Sequence, residues 1–369
     1  KQLLILYILM KIRDRYIAKT LLSYTMVVLV VWTSIYSFFN FLEELNNIGK
    51  EGYTILSAAT YILLQLPEVV YKQASPIILL GCILGMGHLA TTGQLLIFRV
   101  SGASILKITL LTLKNSLIFV LFFICVGEFL APISSNLAKT SKSNAMGNSS
   151  AAFNQEGFWI RDGSNFINVN KNIDGTLFSG ITVIEVNSSN KIERVIKSEN
   201  ALFDGNSLDM SGSEIFSVDE SSSFEGISLK ERNSYDKTVS FDQDLIGSLK
   251  KEPEDLSTWT LIKQIRFLSD NKLRSGVFEV ELYKRLIQPI TLIAMILLAM
   301  LFIFGSTRDV TLGRKIFFGV ALGLSFEMLS RIASAMALSL DFSPFLGSIL
   351  PSIVVMFISI ILLFKKSFS

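Results

Sequence analysis

The stretch TLLSYTMVVLVVWTSIYSFFNFL, residues Thr20–Leu42, decides the class of this protein. It contains no Asp, Glu, Lys or Arg, and a helix needs about twenty mostly apolar residues to cross the hydrocarbon core of a bilayer. A run of this length is too apolar for the surface of a water-soluble domain. The stretch therefore predicts a first transmembrane helix.

Further apolar blocks follow the first one along the chain. Pro67 and Pro76 interrupt the next block, and because proline removes a backbone donor from a helix interior, we expect a kinked or two-part helix there. With 50% hydrophobic and 18% charged residues among 369, the chain is too apolar for an ordinary soluble protein. We predict about six crossings in all. The later blocks are Ile55–Leu89, Ile105–Pro132, Phe278–Phe304, Ile316–Leu340 and Phe345–Phe364.

Charged residues between the blocks orient the chain. Loops rich in Lys and Arg stay on the cytoplasmic side of a membrane, and the segment before the first block is basic, whereas Glu43, Glu44 and Glu51 follow it. We therefore expect both termini in the cytoplasm and Asp341 outside. The cytoplasmic basic residues are then Lys11, Arg13, Arg15, Lys19, Arg99, Lys107, Arg308, Arg314, Lys315, Lys365 and Lys366. Met10 is the expected natural start of the chain.

A polar middle region, Ser134–Ser275, separates the third block from the fourth. It contains runs such as FWIRDGSNFINV (158–169) and TLFSGITVIEV (176–186), in which apolar and polar residues alternate between turn residues. Such alternation is typical of β-strands that bury one face. We predict an extracytoplasmic β domain, a sandwich or jelly roll, and a helix at Asp255–Asp270 that leads back to the membrane.

The predicted fold is an α-helical membrane protein with about six transmembrane helices and an inserted all-β jelly-roll domain. The first three helices are expected in residues 10–133, together with a short cytoplasmic helix at 94–104. The β domain is expected in residues 134–275 and the last three helices in 276–369.

The chain lacks the motifs of common enzymes. No G-x-x-x-x-G-K-[ST] loop and no G-x-S-x-G elbow occur, and His88 is the only histidine. Cys82 and Cys125 both lie in apolar blocks, which leaves no thiolate cluster and no disulfide framework. A net charge of +3 without a Lys or Arg run gives no support to nucleic-acid binding. We expect no catalytic residue, no metal, no cofactor and no nucleic-acid partner, so any ATP is hydrolysed by another protein.

The cytoplasmic segment QLLIFRVSGAS, residues Gln94–Ser104, is apolar on one side and too short to span. Gly102 is a natural helix stop. The segment is either an interfacial helix that lies among lipid headgroups or a coupling helix that passes a partner's motion to the membrane helices. The residues alone leave both interpretations open.

Ionisable residues at membrane depth are costly and usually face a protein interior or a polar cavity. Glu327 and Arg331 lie four apart on the fifth predicted helix and can pair, which favours a structural role. A second set gathers at the extracytoplasmic side, where it could hold an anion or simply reach the headgroup layer one residue at a time. This set is Lys50, Glu68, Lys72, Glu128, Glu281, Lys284 and Arg285.

Several motifs follow one another in a fixed order along the chain. They are RDRYIAKT (13–20), LGMGHLATTGQLLIFRVSGAS (84–104), GEFLAP (127–132), GFWIRDGSNFINV (157–169), ELYKRLIQP (281–289) and FIFGSTR (302–308). In these motifs the chain from Met10 onward resembles the LptF/LptG family of lipopolysaccharide export permeases, and it is closer to the G-type members.

The resemblance implies that the chain stands beside an LptF-type permease on a cytoplasmic ATPase dimer of the LptB type. A membrane-anchored periplasmic protein of the LptC type inserts its helix beside the first helix of G-type chains. Permeases of the family carry a periplasmic jelly roll. The substrate is lipopolysaccharide, taken from the outer leaflet of the Gram-negative inner membrane.

The resemblance also implies a role for the short cytoplasmic helix, since the family's helix at this place docks on the ATPase. The coupling residues are then Gln94, Leu95, Ile97, Phe98, Arg99 and Gly102. Gln94 stands where the family has an acidic residue. Its contact with the ATPase is expected to be a neutral hydrogen bond, or the ATPase has changed to match.

Two further sets of residues follow from the resemblance. Basic residues just beyond the first helix face lipid A phosphates in G-type members, but the matching positions here are Asn46 and Asn47. The lipopolysaccharide-binding residues are then Lys50, Lys72, Lys284, Arg285 and Trp32. The family's lateral gates involve the first and fifth helices, which points to Tyr24, Val28, Phe38, Glu327 and Arg331.

In the implied mechanism, apolar walls of the first, second and fifth helices hold acyl chains while the cations hold phosphates. ATP-driven closing of the cavity then expels the lipid. The main rival is a mechanotransmitting or scaffolding subunit that uses the same coupling helix but moves no lipid. A secondary transporter would show internal symmetry and ion-binding charges at mid-membrane, and only Glu327 with Arg331 approaches that pattern.

Overall fold

The protein was analysed as a computed structural model. It describes residues 12–50, 52–146, 157–172, 176–187, 189, 191–218, 227–239, 241, 245, 251–305, 312–340 and 342–368. Met10, Lys11, Glu51, Arg308 and Asp341 lie outside the described residues. The natural start of the chain stays a prediction, and so do the orientation of the termini and the side of the membrane on which the β domain lies.

The helices account for most of the described chain. They are α1 (Ile12–Glu44), α2 (Ile55–Lys72), α3 (Ala74–Thr91), α4 (Gln94–Val100), α5 (Ile105–Cys125), α6 (Ala131–Ala145), α7 (Thr258–Asp270), α8 (Gly276–Gly305), α9 (Leu312–Ser339) and α10 (Pro344–Phe368). A π-helical turn, Val126–Leu130, joins α5 to α6. Short 3-10 turns lie at Leu45–Asn47 and Pro253–Asp255.

Within the described residues, six helical stretches are long and apolar enough to cross a membrane. They are Asp14–Asn47, Ala74–Thr91, Ile105–Ala145, Gly276–Gly305, Gly313–Ser339 and Pro344–Ser367. The prediction of about six spans is confirmed.

The second apolar block consists of two helices, as the prolines suggested, but the place of the break was predicted wrongly. α2 ends at Lys72 and α3 begins at Ala74, so the chain turns at Gln73, between the two prolines. Pro67 lies inside α2. Pro76 lies in the first turn of α3, where a missing backbone N–H costs no intrahelical bond. Only α3 of this pair is among the six candidate spans.

α3 is the central helix of the membrane unit. It is buried along nearly its whole length and contacts both α1 and α9. Glycine permits the close approach of α1, because a Cβ at Gly81 would lie 2.5 Å from Oγ1 and 2.9 Å from Cα of Thr25. On the α9 side, a Cβ at Gly323 would lie 2.9 Å from Cβ of Pro76. Small residues at such crossings are typical of helix packing in membranes, where close contact replaces the hydrophobic effect.

The middle of the chain forms a β domain, as predicted from its alternating pattern. Its strands are β1 (Phe158–Asp162), β2 (Asn165–Asn172), β3 (Leu177–Val186), β4 (Ile192–Phe203), β5 (Ser207–Val218) and β6 (Ile227–Thr238). They form one antiparallel sheet in the order β1-β2-β3-β4-β5-β6, so each strand pairs with its neighbours in sequence. Ile167 lies opposite Val183, and Val183 lies opposite Ile196. All three side chains are fully buried, so this face of the sheet forms the core of the domain.

α7 covers part of that core. Its Phe267 is buried in the same hydrophobic cluster as Phe178 and Phe203. The side chain of Asn271, directly after α7, accepts a hydrogen bond from the backbone N–H of Gly163 in the β1–β2 turn, at 2.6 Å. The helix predicted at Asp255–Asp270 is therefore present from Thr258, and it is part of the β domain.

The described residues divide into two compact units. The membrane unit contains the residues up to Asn47, Ala58–Ala138 and those from Glu279 onward. The β unit contains Ile48–Ser57 and Lys139–Phe278. The predicted fold class, a helical membrane protein with an inserted β domain, is confirmed.

Candidate functional site

A short helix is present where the sequence predicted one. α4 follows Gly93, whose φ of +74° is left-handed, and it ends with a pair of bonds that close its last turn. The N–H of Gly102 donates to the Arg99 carbonyl at 3.0 Å, and the N–H of Ala103 donates to the Phe98 carbonyl at 3.1 Å. This is the Schellman arrangement, which needs a left-handed residue, and Gly102 provides it with a φ of +86°.

α4 is apolar on both sides, not on one as expected. Leu95 is buried and Phe98 packs against the membrane core. Leu96, Ile97 and Val100 are 46%, 66% and 82% exposed, and they form an outward apolar face. Within the predicted coupling set, Leu95 and Phe98 therefore anchor the helix, and Ile97 and Arg99 are available to a partner.

Sequence reasoning missed Leu96 and Val100, although their i, i+4 spacing places them on one face of a helix. Gln94 is half-buried, and its side-chain oxygen has no hydrogen-bond donor among the described residues. A buried oxygen without a donor is unfavourable, and this side chain would have to turn outward before it could bond a partner. The coupling role of the set stays a prediction.

The cations predicted at the extracytoplasmic side, Lys50, Lys72, Lys284 and Arg285, make up the predicted basic rim. Two of them are compensated by nearby carboxylates. Lys72 pairs with Glu68 at 2.6 Å, and the Nε of Arg285 donates to Glu281 at 3.1 Å. The Arg285 side chain is only 7% exposed. Lys284 is half-buried and has no ion pair with any described residue. An anion can therefore use Lys284 directly, but it must compete with carboxylates for the other two.

Part of the rim is one polar cluster of the membrane unit. The phenol of Tyr71 on α2 lies within electrostatic reach of Arg285 and Glu281 on α8 and of Glu128 in the π-helical turn. Gly127 leaves space for this ring, since a Cβ there would lie 2.1 Å from it. Tyr71 was missed by the sequence analysis. Its position next to Lys72 in the sequence could have indicated that it belongs to this cluster.

Trp32 contacts the turn between α2 and α3. Its indole N–H donates to the side-chain oxygen of Gln73 at 3.3 Å, and the ring packs against the core. Its role is therefore tied to the turn between the two helices. Lys50 is exposed and belongs to the β unit, whereas the other predicted lipopolysaccharide-binding residues belong to the membrane unit.

The predicted gate residues have different surroundings. On α1, Val28 is buried, whereas Phe38 is 59% exposed and touches Phe39 edge to face. The Tyr24 ring lies 5.4 Å from the ring of His88 on α3. On α9, the predicted pair is formed, with Nε of Arg331 3.3 Å from Oε1 of Glu327.

Arg331 is 69% exposed at its side chain. Its neighbours Met328, Leu329, Ile332 and Met336 are exposed as well. An exposed cation among apolar side chains cannot simply face acyl chains. Arg331 must therefore lie next to a protein surface, a headgroup layer or a polar cavity.

These features define a class of protein. Six candidate spans include a nearly buried α3, a β domain is inserted between the third and fourth spans, and a short helix presents an apolar face just beyond α3. The described residues contain no group of three His, Cys, Asp or Glu side chains that could hold a metal ion. This combination defines a polytopic membrane protein with an inserted β domain and a short helix that exposes apolar side chains.

The chain belongs to the family described as "Lipopolysaccharide export system permease LptF/LptG", which matches residues 15–365. It is 28% identical over 360 residues to lipopolysaccharide export system permease protein LptG of Escherichia coli K12, covering 96% of this chain and 98% of that protein. It is 26% identical over 342 residues to the Haemophilus influenzae protein of the same name, covering 92% and 94%. The predicted family, its G-type resemblance and the function as a non-catalytic lipopolysaccharide export permease are confirmed.

Proposed function

We propose that this permease extracts lipopolysaccharide from the outer leaflet of the inner membrane as the G-type subunit of an ABC-type transporter. In this proposal both termini are cytoplasmic and the β unit is periplasmic. The observation that carries it is the outward apolar face of α4 next to the buried α3. A cytoplasmic ATPase dimer that docks on this face acts directly on the centre of the membrane unit.

An F-type permease completes the transport cavity. α1 and α9 leave many large apolar side chains uncovered, among them Val27, Val31, Ile35, Leu324 and Met336. Lipid can cover such side chains, but the charged pair at Glu327 and Arg331 needs a more polar neighbour. A second permease beside α1 and α9 supplies it, and an LptC-type helix lies beside α1.

The lipid is held by two kinds of contact. Acyl chains pack on the exposed apolar side chains of α1 and α9, which keep them out of water at about 0.8 kcal/mol for each CH₂. Phosphates bind Lys284 and compete with Glu68 and Glu281 for Lys72 and Arg285. Because acyl-chain burial also opposes release, the cavity itself must collapse, and ATP hydrolysis in the partner drives that step.

Site-specific photocrosslinking in native membranes tests this proposal. Probes replace Phe38 on α1 and Leu286 on α8, which are 59% and 60% exposed, and a control probe replaces Leu121 on α5, which is 62% exposed. We expect lipopolysaccharide adducts at the first two positions that decrease during ATP turnover, and no ATP-dependent change at the control. ATP hydrolysis without lipopolysaccharide capture at either position would favour the mechanotransmitting alternative.

A further inference from the structure

Two neighbouring residues in the last turns of α3 contact the two predicted gate helices. The carbonyl of Gly87 accepts a hydrogen bond from the ammonium of Lys315 on α9, at 3.0 Å. The ring of His88 lies 5.4 Å from Tyr24 on α1. α1 and α9 therefore meet the same part of α3, close to its cytoplasmic end in the predicted orientation.

Lys315 is an unusual lysine. It lies in the first turns of α9, only 9% of its surface is exposed, and it forms no ion pair with any described residue. Burying an ammonium without a carboxylate is costly. Its partner is a carbonyl near the C-terminal end of α3, where the helix dipole is negative and favours a cation.

The contact is built for lysine. A Cβ at Gly87 would lie 3.2 Å from both Cδ and Nζ of Lys315, so glycine leaves the space that the side chain occupies. The hydroxyl of Thr91 donates to the same Gly87 carbonyl at 3.1 Å. Two donors from different helices therefore hold one carbonyl of α3.

This contact lies directly before α4. Only Thr92 and Gly93 separate α3 from α4. The N–H of Thr92 donates to the His88 carbonyl at 3.0 Å, and the Gly93 carbonyl accepts from the N–H of Ile97 at 3.2 Å. Because the link is only two residues long and both residues are hydrogen-bonded to the flanking helices, we expect a displacement of α4 to reach the last turn of α3.

We propose that Lys315 is a positioning residue that couples α9 to the cytoplasmic end of α3, so that a displacement of α4 reaches α9 through the Gly87 carbonyl. The contact of His88 with Tyr24 carries the same displacement to α1. The proposal rests on the coupling role of α4 in the proposed function. It assigns to a residue outside the lipid-binding and docking sets the task of moving the two gate helices together.

The test compares variants of the complete complex with its partner permease and ATPase in lipopolysaccharide-containing proteoliposomes. Lys315→Met removes the donor and keeps the length of the side chain, whereas Lys315→Arg keeps a donor. Arg314→Met is the matched control, since Arg314 is exposed and adjacent. The two readouts are ATP hydrolysis and the lipopolysaccharide released for each ATP.

We expect Lys315→Met to leave ATP hydrolysis unchanged and to lower release per ATP about tenfold, within the range of measured coupling between sites. Lys315→Arg restores most of the release, and Arg314→Met behaves as wild type. A parallel loss of hydrolysis and release, or an unchanged ratio, would overturn the proposal. If Lys315→Met fails to assemble, Gly87→Val decides by the same ratio, because its methyl groups take the space of the ammonium while Lys315 is kept.

A second readout separates this inference from the proposed function. Spin labels at Ile35 on α1 and Met336 on α9, which are 54% and 53% exposed, report the distance between the gate helices. We expect ATP to change this distance in the wild type and not in Lys315→Met. A normal distance change without lipopolysaccharide release in the wild type would contradict the proposed function alone. The same change in Lys315→Met would contradict the role of Lys315.

Discussion

α3 and α9 have the same mean hydropathy, 1.6, and both are long enough to be candidate spans, yet they have opposite surroundings in the folded chain. In the most apolar part of α3, 78% of the residues are buried, against 17% for α9. A buried helix is covered by other parts of its own chain, whereas an exposed transmembrane helix is covered by lipid or by another protein. The difference identifies α3 as the buried hub of the membrane unit, whereas the exposed side of α9 is covered by lipid or by another protein.

The largest expected effect comes from disturbing the hub. Gly81→Val places a side chain within 3 Å of the backbone of Thr25 on α1, and such overpacking costs about 3 kcal/mol or more. We expect little folded protein in the membrane, measured by thermal melting in detergent. Gly313→Val on α9 is the control, since nothing lies within 4 Å of a Cβ there. Equal melting of the two variants would mean that the hub is looser than its packing indicates.

The two faces of α4 give the next largest effect. Leu95→Ala removes a buried anchor and should cost about 2–3 kcal/mol of stability. Ile97→Asp lies on the exposed face, so the isolated subunit should melt as wild type while it no longer co-purifies with its ATPase. Melting curves and pull-down yields measure both. The helix would not be a docking surface if Ile97→Asp retained the ATPase.

The β unit has a pH dependence that the membrane unit should not share. Burial alone would raise the pKa of Glu185, but the hydrogen bond and charge of Lys237, the hydrogen bond of Tyr235 and the charge of Arg194 outweigh it and hold the pKa low. A carboxyl with a lowered pKa contributes stability that is present above its ordinary value of 4.5 and is lost as the pH falls through the lowered value.

The expected result is faster hydrogen exchange in β3 and β4 as the pH falls below 4.5, after correction for the intrinsic rate. In Glu185→Gln this pH dependence should disappear, because the amide does not titrate. Exchange in α3 serves as the internal control and should not change over the same range. A pH response that persists in Glu185→Gln would assign it to another group.

The smallest expected effect is that of a substitution on the exposed side of α9. The pair of Arg331 with Glu327 is largely exposed, and exposed i, i+4 pairs contribute about 0.3–0.5 kcal/mol. Arg331→Gln should therefore leave the melting of the isolated subunit unchanged in detergent. Any loss should appear only in the complex, as weaker association or transport. A large loss of stability in the isolated subunit would show that α9 depends on this pair internally.

Local sequence patterns were enough to predict much of this fold. Length and hydropathy predicted the spans, and two-residue alternation predicted the strands of a domain that has water on one side. In the membrane the same reasoning fails, because lipid-facing and protein-facing residues are both apolar. For this reason the sequence of α3 did not predict that it is the buried hub. The burial of Leu95 within an apolar α4 could not be predicted either.

The candidate site divides in the same way. The pairs of Glu327 with Arg331 and of Glu281 with Arg285 follow from helical spacing and could be predicted. The bond of Trp32 to Gln73 joins residues 41 positions apart, and that of Lys315 to Gly87 joins residues 228 apart. The periodicity of a single helix cannot predict such contacts, because they depend on how different helices pack against one another.

The order of the sheet has a consequence for how the protein is made. All pairings described between β1 and β6 join strands that are consecutive in the chain. Low sequence separation favours rapid folding, and chains emerge from the ribosome N-terminus first. α7, which completes the core of the domain, also ends before α8 begins at Gly276. The β unit can therefore acquire its native pairing while the last three helices are still being synthesised, and its folding does not have to wait for their insertion.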